Sequence, residues 1–216
     1  MLLRCVPTVD IMNKKWLAPI LPYLAVWAGL FLFHSAWLSL LGFHAAILLT
    51  LVIARPDIPI KTLFQSAHPK WILASVFLCG LGGAGLYFFW DAFGIADDLP
   101  AQLQSIGLIS SSWTVFIAYF AIANPFIEEY FWRAYLGRDA CGFYIGDLVF
   151  AGYHAIILLE KVPLPSIAFA LACLTCIGWF WRQARREDGG LLAAVLGHMT
   201  ADVTILVCVM VNVRAG

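Results

Sequence analysis

Two adjacent carboxylates and a guanidinium interrupt an otherwise apolar stretch of the chain, at Glu128, Glu129 and Arg133. A charged side chain at the centre of a membrane helix costs roughly 2.5–3.5 kcal/mol on insertion scales. Because a helix turns by about 100° per residue, Glu129 and Arg133 share a face and can form an ion pair. Glu128 points away from that pair, so we expect it to face a cavity and take a proton. The alternative is that all three charges extend to the membrane interface.

Two later apolar runs also carry ionisable side chains at helical spacing. Phe150 and His154 lie four residues apart in the first run, with Asp147 nearer its polar end, where it can be solvated. His198 and Asp202 lie four residues apart in the second run. A core histidine bonded to a backbone carbonyl, or a local His–Asp pair, would also explain these groups. Ionisable residues inside membrane segments face a bundle interior or a water-filled cavity, so the three clusters are candidates for one functional site.

The composition is that of an integral membrane protein. Of the 216 residues, 62% are hydrophobic and 12% are charged, whereas soluble domains are about 45–50% apolar and about 25% charged. The formal net charge is zero, so nothing indicates a nucleic acid or another polyanionic partner. Cys173 and Cys176 form a lone C-x-x-C without the second ligand pair of a zinc site, and we interpret them as packing residues.

The hydropathy pattern predicts one all-α domain over residues 1–216, a transmembrane bundle of about seven spans. A span needs about 20 apolar residues, and the first run, residues 16–54, is long enough to be a helical hairpin broken at His34. Pro125 can kink the helix that carries the glutamates. The motifs occupy residues 124–202, and residues 16–105 form accessory helices. The later runs cover residues 71–90, 106–125, 143–159, 164–181 and 191–213.

Basic residues predict a cytoplasmic N-terminus and an outer C-terminus. With this orientation, eleven of the 13 Lys and Arg residues, Arg4 among them, face the cytoplasm, and only Lys161 and Arg214 face outward. The segment from Arg182 to Asp188 is then a charged cytoplasmic loop. The remaining histidines lie near predicted helix ends or loops and are expected at the interface: His34, His44 and His68.

The three clusters resemble the motifs of the CAAX protease and bacteriocin-processing family (CPBP, also called ABI). That family carries Glu-Glu-x-x-x-Arg, Phe-x-x-x-His and His-x-x-x-Asn or Asp, in this order, on membrane helices. The resemblance implies a glutamic-type intramembrane endopeptidase, without cofactor or metal, that acts on a membrane-anchored protein or peptide in the lipid bilayer. The matching residues are Glu128, Glu129 and Arg133, then Phe150 and His154, then His198 and Asp202.

The resemblance also implies roles for these side chains. Glu128 and His154 would activate a water for attack on a peptide carbonyl, and His198 and Asp202 would stabilise the oxyanion. Prenyl-protein proteases of the family typically have Asn in place of Asp202, and an ionised Asp has no proton to donate. We therefore expect Asp202 to orient His198. The supporting residues would be Glu129, Arg133 and Phe150.

The resemblance leaves the substrate open. The short form of the chain is similar to prokaryotic members of the family, which implies a prokaryotic cell membrane. Some of those members are myxosortase-like enzymes that cut near a C-terminal anchor or sorting tail. Two other functions fit the same residues. One is a non-catalytic immunity or scaffold protein, and the other is a zinc-dependent membrane metalloprotease with the ligands Glu128, His154, His198 and Asp202.

Overall fold

The computed structural model describes residues 14–109 and 111–215. Arg4, which entered the topology argument, lies outside the described residues. The regular elements of this part are all helical. The α-helices are α1 (Ile20–Trp27), α2 (Ala36–Ala54), α3 (Pro69–Phe88), α4 (Leu99–Ser105), α5 (Trp113–Glu129), α6 (Ile145–Leu158), α7 (Leu164–Asp188) and α8 (Leu192–Ala215).

The first two helices form the hairpin that the sequence predicts. A π-helical turn, Ala28–Leu32, extends α1 before the chain reverses. His34 has a positive φ of 47° at the reversal. Ser35 then begins α2 as its N-cap, because its side chain accepts a hydrogen bond from the backbone N–H of Leu38 at 3.2 Å. Capping of this kind satisfies a backbone donor that the helix itself leaves unpaired.

Four helices are long and apolar enough to cross a membrane, by length and composition. The apolar helices 20–32 and 145–158 are shorter. Many large apolar side chains lie on the outside of the bundle, as expected of a surface that contacts lipid. The helical membrane bundle is thus confirmed, while seven spans and the orientation of the termini stay predictions. The four candidate spans are Ala36–Ala54, Pro69–Phe88, Leu164–Asp188 and Leu192–Arg214.

Helix α8 packs against α3, α5 and α7, which places it inside the bundle. Its contact with α3 depends on glycine. A Cβ atom added at Gly83 would lie 2.4 Å from the side chain of Thr204, and one added at Gly197 would lie 1.9 Å from Ser75 Oγ. Small residues at such positions let membrane helices approach closely. The close approach brings the polar face of α8 towards the glutamates of α5.

Two predictions about charged residues are wrong. The segment from Arg182 to Asp188 is not a loop, because it forms the last turns of α7. Asp147 is not solvated: it is buried and pairs with the equally buried Arg182, with Nε–Oδ1 at 2.9 Å and Nη2–Oδ2 at 2.7 Å. A bidentate pair satisfies both charges where water cannot reach them. Asp147 also accepts a hydrogen bond from the backbone N–H of Tyr144 at the start of α6.

Candidate active site

Helix α5 carries the two glutamates at its C-terminal end. It continues through Pro125 to Glu129, and a π-helical turn, Tyr130–Tyr135, follows directly. Both carboxylates are fully buried, with 0% exposure for Glu128 and for Glu129. The alternative in which they extend to the interface is therefore wrong.

Glu129 connects two of the motifs. Its Oε2 lies 3.3 Å from Nε of Arg133, which confirms the ion pair expected from the spacing. Its Oε1 lies 2.8 Å from Nδ1 of His198 on α8. The Arg133 guanidinium lies over the ring of Phe150, with Cζ 3.8 Å from the ring centroid, and 5.0 Å from that of Trp181. These rings stabilise a buried cation whose Nη1 and Nη2 make no hydrogen bond among the described residues.

Glu128 has two hydrogen-bond donors, although the sequence analysis left it without a partner. The Tyr153 hydroxyl donates to Oε1 at 2.7 Å, and the Trp132 indole N–H donates to Oε2 at 2.8 Å. Nε2 of His198 lies 3.9 Å from Oε1, too far for a direct hydrogen bond. The carboxylate is thus fixed in orientation and faces the imidazole of α8.

His198 presents Nε2 to a small group of polar atoms. The ring stacks on Trp181 with centroids 5.1 Å apart. Because Nδ1 contacts Glu129, Nε2 points to the side of the ring opposite Glu129. Oδ1 of Asp202 lies 3.6 Å from Nε2, and the Asn124 amide nitrogen lies 3.5 Å from it. Glu129 makes a much shorter contact with His198 than Asp202 does. The geometry therefore gives Glu129 the main part in orienting the ring, the role expected of Asp202.

His154 is half-buried at the edge of this group. Its Nδ1 lies 3.2 Å from the carbonyl oxygen of Ala151, the contact of a core histidine. Its ring packs on Tyr153, with centroids 4.0 Å apart, and against Phe150. Glu128 and His154 form no direct hydrogen bond. When Nδ1–H donates to the carbonyl, Nε2 is left to accept from a ligand or a water.

The sequence analysis missed a second layer of polar residues around the motifs. His44 was expected at the interface, but it is buried in α2, and its Nε2 lies 3.0 Å from Oδ1 of Asn124. The Asn124 amide in turn donates to Oδ2 of Asp202 at 3.2 Å. The sequence did contain one indication that Trp132 and Asn124 lie near Glu128. Each is four residues from Glu128, hence about one helical turn away on the same face.

The four proposed zinc ligands are not arranged as a metal site. Across residues 14–109 and 111–215, no three His, Cys, Asp or Glu side chains are arranged to hold a metal ion. The donor set as folded does not fit a zinc site.

The fold and the buried charge cluster define a helical integral membrane protein with an internal ionisable site. Residues 110–204 match the family model described as type II CAAX prenyl endopeptidase Rce1-like. That segment contains all three motifs, so the match confirms the resemblance to the CAAX protease family. The comparisons with curated proteins and with solved structures found no match.

Proposed function

We propose that this protein is a glutamic-type intramembrane endopeptidase that hydrolyses a peptide bond of a membrane-associated protein. The observation that carries the proposal is the position of Glu128, a fully buried carboxylate whose Oε1 lies 3.9 Å from Nε2 of His198. That gap is too long for a direct hydrogen bond and short enough for one water to contact both atoms.

The proposed reaction begins with Glu128 as the base. Glu128, with Nε2 of His154, takes a proton from a water, and the water oxygen forms a bond with the carbonyl carbon of the peptide. The carbonyl electrons move to oxygen, and His198, with Asp202 beside it, stabilises the oxyanion. The C–N bond then breaks, and the proton held by Glu128 passes to the leaving amine. A carboxylate and an amine are the products.

The supporting residues hold these groups in place. Glu129 fixes His198 through Nδ1, Arg133 balances the charge of Glu129, and Phe150 packs against the guanidinium. Removing one such support is expected to lower turnover without abolishing it, since a reacting group misplaced by about 1 Å can lose about 10²-fold in rate.

The proposed substrate is a protein with a C-terminal membrane anchor or sorting tail, cut in a prokaryotic cell membrane. Glu128 lies inside a bundle of apolar helices, so the substrate segment that carries the cleaved peptide bond must enter the bundle to reach it. The matched family description names a CAAX prenyl endopeptidase, so a prenylated CAAX tail is the other substrate to test. Two probes separate these substrate classes. One is an internally quenched farnesylated peptide with a CAAX-type tail, and the other is a reporter protein with a single C-terminal membrane helix.

The test compares wild-type protein and Glu128→Gln in liposomes with both probes. Gln keeps the size of the side chain and its acceptor oxygen but removes the base, so we expect cleavage to fall by about 10²–10⁴-fold. Glu187→Gln, at an exposed position of α7, is the matched control and should cleave at the wild-type rate. Equal cleavage by wild type and Glu128→Gln would refute Glu128 as the base. No cleavage of either probe by wild type would refute the proposal as a whole and favour a non-catalytic protein.

Chelation separates the glutamate mechanism from zinc chemistry. Because no three His, Cys, Asp or Glu side chains of the described residues are arranged to hold a metal ion, we expect a chelator to leave the cleavage rate unchanged. A chelator-induced loss that added zinc reverses, together with one zinc per chain in the purified protein, would establish the metalloprotease instead.

A further inference from the structure

We propose that Asn124, which belongs to none of the three motifs, is a positioning residue of this site, held by His44 and in turn holding the carboxylate of Asp202. The inference rests on the proposed function and deepens it. It assigns part of the site to α2, which lies before the segment that matches the protease family.

A chain of four side chains carries the inference. The Tyr119 hydroxyl lies 3.1 Å from Nδ1 of His44, and Nε2 of His44 lies 3.0 Å from Oδ1 of Asn124. The Asn124 amide nitrogen lies 3.2 Å from Oδ2 of Asp202. It also lies 3.5 Å from Nε2 of His198, where the reacting groups meet. These contacts connect α2, α5 and α8 at one amide.

The hydrogen bonds among these four side chains have one consistent assignment of donors and acceptors. The carbonyl oxygen of Asn124 can only accept, so Nε2–H of His44 must donate to it. In the neutral imidazole Nδ1 is then an acceptor, which suits the hydroxyl of Tyr119. The Asn124 amide is left to donate to the carboxylate of Asp202. Each group thereby has a complementary partner, which is the condition for a buried polar network to fix one arrangement.

The polar side chains of this network are buried, so losing any one of its hydrogen bonds is costly. Asn124 is 1% exposed and His44 is 3% exposed, and a buried polar group left without a partner costs about 1–3 kcal/mol. With Oδ2 of Asp202 held by Asn124, its Oδ1 stays 3.6 Å from Nε2 of His198. Without the amide, the carboxylate can rotate about its χ2 angle, and its charge no longer keeps a fixed place beside His198.

The experiment exchanges the amide and the acid. Asn124→Asp places two carboxylates against each other, Asp202→Asn keeps an acceptor for Asn124, and the double variant restores the bond with the two groups reversed. Each protein is assayed for kcat and KM on the farnesylated peptide and the anchored reporter, and for its melting temperature in detergent. We expect Asn124→Asp to lose about tenfold to 100-fold in kcat with little change in KM. The double variant should recover at least half of that loss on a logarithmic scale, and Asp202→Asn is the second single variant of the cycle.

Two controls isolate the effect. Asn212→Asp makes the same change on a different helix, α8, where the amide donates to Cys208, and should leave kcat unchanged. If Asn124→Asp does not fold, Asn124→Ala is measured instead, with about a tenfold loss in kcat expected and no change in KM.

Three results would overturn the assignment. They are wild-type kcat in Asn124→Asp, wild-type kcat in Asn124→Ala, and a double variant that melts like wild type but is as slow as Asn124→Asp. A wild-type protein that cleaves neither probe refutes the proposed function instead. In that case, recovery of the melting temperature in the double variant still demonstrates the hydrogen bond between positions 124 and 202. The positioning role of Asn124 in proteolysis is then refuted.

Discussion

Nδ1 of His198 lies 2.8 Å from Oε1 of Glu129, so the second glutamate of the Glu-Glu pair holds the imidazole of α8. The same carboxylate faces Arg133 through its other oxygen. Two adjacent carboxylates thus have separate tasks in the structure: Glu129 joins α8 to α5, and Glu128 faces Nε2 of the imidazole that Glu129 orients.

Neutralising Glu129 should damage both turnover and stability. Glu129→Gln keeps an acceptor for His198 but leaves Arg133 as a buried cation without a counter-charge, a change that costs about 3–5 kcal/mol. Glu129→Gln/Arg133→Gln removes both charges and should recover part of the lost melting temperature. Thermal unfolding in detergent checks this, and a double variant no more stable than Glu129→Gln would count against the ion pair.

Tyr153→Phe tests the hydrogen bond to the proposed base. The change removes the hydroxyl that donates to Oε1 of Glu128 and leaves the ring in place. Loss of one hydrogen bond to a charged group is worth about 1.5–3 kcal/mol, so we expect kcat/KM to fall by about tenfold to 100-fold. Tyr87→Phe, on an exposed ring of α3, should have no effect on the same assay. Identical rates for the two variants would show that Glu128 does not need this donor.

The Asp147–Arg182 pair should contribute to stability and not to chemistry. Asp147→Asn leaves Arg182 unbalanced inside the protein and should lower the free energy of unfolding by about 3–5 kcal/mol. Asp147→Asn/Arg182→Gln should be less damaging than the single change, and the folded fraction of either variant should cleave normally. The exposed Asp57→Asn is the matched control. A stable Asp147→Asn protein with reduced kcat would reverse this division of roles.

Glycine at position 83 is required by the close approach of α3 and α8. In Gly83→Ala the new Cβ would meet Thr204 at 2.4 Å, so the helices must separate or tilt, and overpacking of this kind typically costs about 1–3 kcal/mol. At Gly82, one residue away, the same atom would have no neighbour within 4 Å. Melting temperatures of the two alanine variants check the contact, since only Gly83→Ala should be clearly less stable.

The sequence predicted the helices better than it predicted the site. Long apolar runs give helices whatever their neighbours are, so the hairpin at His34 and the later helices follow from hydropathy alone. The Glu129–Arg133 pair was also predictable, because both residues lie on one helical turn. The resemblance to the CAAX protease family rested on all three motifs in order, since each alone has a structural explanation.

Contacts between distant parts of the chain were not predictable in this way. His44 and Asn124 are 80 residues apart in sequence, and Asp147 and Arg182 are 35 apart. Helical periodicity relates positions within a few turns and carries no information about which helices meet. For this reason His44 was assigned to the interface and Arg182 to a loop, although each is buried against a specific partner.

The burial of Glu128 and Glu129 has a consequence for selectivity. With 0% of either side chain exposed, a membrane protein that passes the outside of the bundle cannot touch the carboxylates. Contact with them requires neighbouring helices to part, and only a segment able to insert between those helices gains access. The enclosure therefore protects bystander proteins of the bilayer before any side-chain preference at the cleaved bond comes into play.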